Sequence, residues 1–88
     1  MKVLYEKSFL KDLRKVKDQK IRDKVSLLIE KIQVLDTLPK TSNIKKIKAH
    51  PSAYRFRIGD WRLGIFYEQG TIVFSRFLNR KDIYDKFP

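Results

Sequence analysis

Eighty-eight residues, 42% of them hydrophobic and 12% aromatic, suffice for one domain with a small core and are too apolar for a disordered chain. No uncharged stretch exceeds seven residues, Gln69 to Ser75, which excludes a membrane-spanning helix, and the absence of cysteine excludes disulfides, thiolate metal sites and cysteine nucleophiles. Twenty-one Lys and Arg against ten Asp and Glu leave a net charge of +11, more than the roughly 2–8 charges that solubility asks of a small domain.

In chain order, residues 2–5 read as a short strand with Val3 and Tyr5 on one face. Ser8 can cap a helix beginning at Phe9, with Phe9, Leu10, Leu13 and Val16 on one stripe and a break near Lys17 to Gln19. A second helix is clearer: Ile21, Val25, Leu28, Ile32 and Leu35 alternate steps of four and three. It ends before Pro39, because Leu38 is pushed out of the α region. Residues 39–52 read as a loop carrying Lys45, Lys46 and Lys48, either solvated or in contact with phosphates. His50 stands alone beside Pro51 and reads as incidental.

From Ala53 the period changes to two. Tyr54, Phe56 and Ile58 alternate with Arg55 and Arg57, Gly59-Asp60 supplies a two-residue turn of type II′, and Trp61, Leu63, Ile65 and Tyr67 alternate with Arg62, Gly64 and Phe66. Gln69-Gly70 offers a second turn. Thr71 to Phe77 is a strand apolar on both faces, with Ile72 and Phe74 on one and Val73 and Phe77 on the other, and so the best covered. Asn79 to Phe87 reads as one or two helical turns. The predicted fold is α+β, one domain over 1–88: an N-terminal helical hairpin packed on a small, mainly antiparallel β-sheet, with a short C-terminal helix.

The first turn fixes a register. Ile58 pairs with Trp61, Arg57 with Arg62, Phe56 with Leu63 and Arg55 with Gly64. The apolar side chains then share one face for the helices, and the other face carries Arg55, Arg57 and Arg62 beside a glycine that relieves their crowding. Like charges directly across a ladder are destabilising, and an anion between them is the simplest reason to keep them, because guanidinium forks match phosphate oxygens. Trp61 and the tyrosines read as core, except Tyr84, which lies on a charged segment near Arg80. Such a face suits RNA cleavage by attack of a 2′-hydroxyl on the adjacent phosphate. Preorganised arginines can neutralise the developing charge without a metal or other cofactor. No cluster of Asp and Glu exists to build a metal site, and no Ser-His-Asp arrangement, phosphate loop or HExxH motif competes.

The stretch Tyr54-Arg55-Phe56-Arg57-Ile58-Gly59-Asp60-Trp61-Arg62-Leu63, with the strand from Tyr67 to Phe77 and Asn79-Arg80-Lys81-Asp82-Ile83-Tyr84, resembles the signature of the RelE/ParE superfamily of toxins. The resemblance implies a RelE-like fold and a toxin of a type II toxin–antitoxin pair. In the RelE-like branch it implies a ribosome-dependent endonuclease that cuts messenger RNA by metal-free 2′-hydroxyl attack and so inhibits translation. By position, Arg55 and Arg57 match basic strand residues that contact the substrate. Relatives with lysine there have one proposed as general base, a task for which arginine is ill suited. Arg62 matches the arginine that steadies the scissile phosphate, Arg80 the one that stabilises charge or protonates the leaving group, and Tyr84 the tyrosine that orients the substrate. This makes Arg57, Arg62, Arg80 and Tyr84 the candidate catalytic residues and Arg55, Lys45, Lys46 and Lys48 the candidate RNA-binding residues. Asn79 stands where many relatives have histidine.

Two other readings share the fold: a ParE-like toxin that poisons DNA gyrase without RNA chemistry, and an inactive basic domain that binds RNA or the ribosome. The toxin readings call for a cognate antitoxin with an acidic or amphipathic segment. The nuclease reading adds the ribosome and messenger RNA as partners. No reading calls for a membrane, the N-terminus lacks the apolar run of a secretion signal, and the cysteine-free composition suits the cytoplasm.

Overall fold

The computed structural model of the protein describes residues 1–88. Its elements are β1 (Lys2–Tyr5), α1 (Lys7–Lys15), α2 (Gln19–Gln33), β2 (Ile44–Lys46), β3 (Ala53–Ile58), β4 (Trp61–Glu68), β5 (Thr71–Asn79) and α3 (Ile83–Lys86). They form a five-stranded sheet in the order β1-β5-β4-β3-β2. Every pairing is antiparallel except β1 with β5, which is the expected α+β architecture.

The helical layer covers one face. Phe9 and Val16 from α1 and its end, and Val25 and Ile32 from α2, pack on Phe56, Leu63, Ile65, Ile72, Phe74 and Phe77 to form the main core. Asp18 caps α2 by accepting the Lys20 N–H at 2.9 Å. Arg22 donates to the Leu13 and Val16 carbonyls, satisfying the open end of α1 and fixing the bend between the helices. The turns follow their residues. Gly59 has φ +58°, while Gln69 and Gly70 both lie in the left-handed region at +48° and +76°, as a primed two-residue turn requires.

Several local expectations are corrected. Helix α1 begins at Lys7 after Glu6, and the Ser8 hydroxyl does not cap it but donates 2.6 Å to the Ser75 carbonyl. Leu10 is exposed, and Asp12 takes a buried place on that helix instead. The loop 39–52 contains β2, an edge strand whose Lys45 faces Arg55 and whose Lys46 faces Tyr54. The largest departure lies in β5. Gly64 faces Arg76 and Ile65 faces Phe74, so Ser75 is an extra residue, a β-bulge. The bulge reverses the alternation beyond it and turns Phe77 onto the helical side, in the main core with Ile72 and Phe74.

The opposite face has its own small core. Ile83 and Phe87, at the two ends of α3, pack with Ala53, Ile47, Phe66 and Leu78. Gly64 makes this possible: a Cβ there would lie 2.6–2.8 Å from three ring carbons of Phe87. The glycine therefore seats Phe87 and does not serve to relieve the arginines.

Candidate active site

The β3–β4 register is the one the turn dictates: Arg57 faces Arg62 and Arg55 faces Gly64. The three arginines emerge on the sheet face away from α1 and α2. Beside them α3 is anchored through its apolar pair, with Ile83 fully buried and Phe87 5% exposed. That anchoring leaves Tyr84, between them, 67% exposed. The Arg55 guanidinium lies 4.4 Å from the centre of the Tyr84 ring, a cation–π contact that orients both side chains.

These groups bound one depression of about 190 Å³, lined by Ser42, Asn43, Lys45, Arg55, Arg57, Arg62 and Tyr84. Four cations share it without an acid. The one ion pair of the chain joins Arg76 to Asp12, outside this depression. Arg62 is held in a folded-back pose: its Nη1 donates 2.9 Å to both the Gly59 and Trp61 carbonyls. This bends one guanidinium of the facing Arg57–Arg62 pair toward the turn, which answers the repulsion that the ladder would impose. Asn43 is fixed beside them, its carbonyl accepting the Arg57 N–H at 2.8 Å.

Not every candidate converges. Arg80 lines a separate depression with Asp60, Asn79, Lys81 and Asp82, and its backbone N–H donates to the Asp60 carbonyl. Lys46 lies on the helical side, in a hollow with Leu38, Tyr54 and Tyr67, because its neighbour Lys45 takes the arginine side of β2. Lys48 is exposed beyond the strand and lines neither depression. Asn79 spends its side-chain oxygen on the Lys81 N–H at 3.1 Å. His50 accepts the Ser52 N–H at Nδ1 and packs against Phe66, a turn-stabilising role. Ser42 and Asn43 were missed by sequence reasoning, since two polar loop residues before an unrecognised strand carry no pattern.

No family model matches the chain. Its whole length does align with Toxin RelE3 of Methanocaldococcus jannaschii, at 46% identity over 89 residues and covering 100% of each chain. The chain belongs to the RelE family of toxins. A solved RelB–RelE antitoxin–toxin complex from Methanococcus jannaschii contains a chain 43% identical to this one, with a TM-score of 0.83 over 97% of this chain and 99% of that one. The RelE–RelB complex of Pyrococcus horikoshii OT3 shares the fold at 16% identity, with a TM-score of 0.70 over 90% of this chain and 93% of that one. The relatives at 46% and 43% identity place the protein with RelE-like rather than ParE-like toxins. No helix is long and apolar enough to cross a membrane.

Proposed function

We propose that this RelE-like toxin is a ribosome-dependent messenger-RNA endonuclease, held in check by a cognate antitoxin. The observation that carries the reading is the convergence of Lys45, Arg55, Arg57 and Arg62 with Tyr84 on one acid-free depression. In the reaction a 2′-oxygen bonds to the adjacent phosphorus and the bond from phosphorus to the 5′-oxygen breaks, leaving a cyclic phosphate and a 5′-hydroxyl. Negative charge builds on the non-bridging oxygens. Arg57 and Arg62, facing each other across the ladder, are assigned to those oxygens, where preorganised donors act most strongly. Arg62 is already oriented by two carbonyls, so it loses little freedom on binding.

Guanidinium groups do not exchange protons at ordinary pH. Tyr84 is therefore assigned to orient the 2′-hydroxyl, with its ring fixed by Arg55; the 2′ proton leaves to water and the departing 5′-oxygen takes a proton from water. Lys45 and Arg55 hold the strand backbone, and Arg80 contacts RNA from its neighbouring depression. Ribosome dependence fits a small, largely polar site that grips phosphate but offers few surfaces to position a base. The ribosome would supply that alignment.

The antitoxin reading has a surface as well. A groove of about 440 Å³ runs along α2, lined by Leu27, Leu28, Ile44 and Ile58 together with Lys24, Lys31 and Arg57. Apolar walls edged by cations suit an acidic amphipathic segment. Arg57 belongs to both the groove and the arginine depression, so such a segment would also engage the proposed site. Addition of the protein to a translation extract, with mapping of RNA 5′ ends, tests the nuclease. Cuts at defined codon positions that vanish with Arg62→Ala are expected, and their absence from the wild type contradicts it.

A further inference from the structure

Asp12 is the one buried acid of the chain, 6% exposed, and it lies in α1 on the face of the sheet opposite the arginine depression. Its carboxylate accepts Arg76 Nε at 2.7 Å, Arg76 Nη2 at 3.1 Å and the Phe77 backbone N–H at 3.0 Å. One helical turn earlier, Ser8 donates its hydroxyl to the Ser75 carbonyl at 2.6 Å. Three consecutive residues of the β5 bulge are thus tied to α1 by two side chains four positions apart. The Arg76 guanidinium is held above its ordinary range, foremost by its hydrogen bond to Asp12, with burial opposing and the carboxylate's attraction adding.

The bulge lies against Gly64, because Arg76 is the partner of Gly64 and Phe74 the partner of Ile65. Gly64 in turn is the floor on which the Phe87 ring rests, with no room for even a methyl group between them. Phe87 and Ile83 anchor α3, and α3 carries Tyr84 over Arg55. From this we infer that Asp12, seconded by Ser8, is a positioning residue for the site: its clamp on the β5 bulge sets the height of Gly64, hence the seat of Phe87 and the placement of Tyr84 on the far side of the sheet. The role in RNA cleavage rests on the nuclease reading above, whereas the control of α3 does not.

The coupling is mechanical. Close-packed interiors transmit strain, and a bulge bends its strand and increases the local twist, so its geometry sets how the neighbouring strand lies. A displacement of about 1 Å at a reacting group costs on the order of 100-fold in rate.

The test uses the full chain and amide hydrogen exchange. The Phe87 amide donates to the Ile83 carbonyl at 2.9 Å and reports local opening of α3. Asp12→Ala is expected to speed its exchange roughly tenfold or more, since local and global opening are separable, and Asp12→Asn, which keeps an acceptor for the Phe77 N–H, to speed it less. A merely structural Asp12 lowers global stability and speeds core amides such as Leu63 while exchange of Phe87 through local opening stays unchanged, and that outcome overturns the inference. Should Asp12→Ala fail to fold, Ser8→Ala is read in the same way, with the same result overturning it. On programmed ribosomes the folded variant is expected to lose kcat at unchanged KM. If the wild type cleaves nothing, the nuclease reading fails and the exchange result still decides the control of α3.

Discussion

Replacing Gly64 by alanine puts a methyl carbon where the Phe87 ring already sits. The new Cβ would meet Cγ, Cδ2 and Cδ1 at 2.6, 2.7 and 2.8 Å, whereas carbons settle about 3.5–4.0 Å apart. The ring must move by about 1 Å, and α3 moves with it. The cost lies between ordinary overpacking, about 1–3 kcal/mol, and complete loss of Phe87 docking. Phe87→Ala removes a ring only 5% exposed, which costs about 2–3 kcal/mol, below a deep-core phenylalanine because α3 is a single turn. With the ring gone the methyl has space, and Gly→Ala in a strand interior then gains about 0.5–1 kcal/mol from reduced backbone entropy. The two substitutions should therefore be strongly non-additive, with the double variant as stable as Phe87→Ala or slightly more so. Urea denaturation of the four proteins measures the coupling, expected at about 2 kcal/mol. Additivity within about 0.5 kcal/mol, or a neutral Gly64→Ala, would refute the seat.

Arg62→Ala should lower cleavage by roughly 100- to 1,000-fold, the usual loss of one preorganised donor, in a single-turnover assay. Arg62→Lys should recover little, since one ammonium cannot hold the Gly59 and Trp61 carbonyls and also reach a phosphate. With the four cations of the depression engaged, binding of a single-stranded RNA should fall with salt at a log–log slope of about −3, and each Lys or Arg removed should reduce the slope by about 0.7; fluorescence anisotropy across a salt series checks this. Arg76 has its guanidinium raised by Asp12, so its stabilisation is complete below the unfolded value and is lost only as pH climbs through the still higher folded one. The stability difference between wild type and Arg76→Gln should stay flat from about pH 7 to pH 10, with no guanidinium titrating in that window, as followed by thermal denaturation.

The hairpin and its arginines were legible because period two and a Gly-Asp turn together determine register: each pair from Ile58–Trp61 to Arg55–Gly64 occurs as the alternation requires. The α2 stripe was legible for the corresponding reason at period 3.6. What the pattern missed was non-local. A bulge inserts one residue without any local signature, so Phe77 sits on the opposite side from its parity. Asp12 resembles any solvated acid on a helix until the bulge supplies its partners 64 and 65 residues away. Period two places Gly64 among the arginines, but the group it accommodates, Phe87, arrives from the end of the chain. Arg80 follows the sheet in sequence close to Tyr84, yet its segment turns it toward Asp60, a direction that depends on the Asn79 turn.

The acid-free arginine depression is proposed to cleave RNA by 2′-hydroxyl attack. The most direct measurement is the chemical identity of RNA ends made on translating ribosomes by the purified protein. Fragments with 2′,3′-cyclic phosphate and 5′-hydroxyl termini are expected, abolished by Arg62→Ala and strongly reduced by Tyr84→Phe, both still binding the ribosome. Intact message with the wild type, or cleavage that survives Arg62→Ala unchanged, would contradict it.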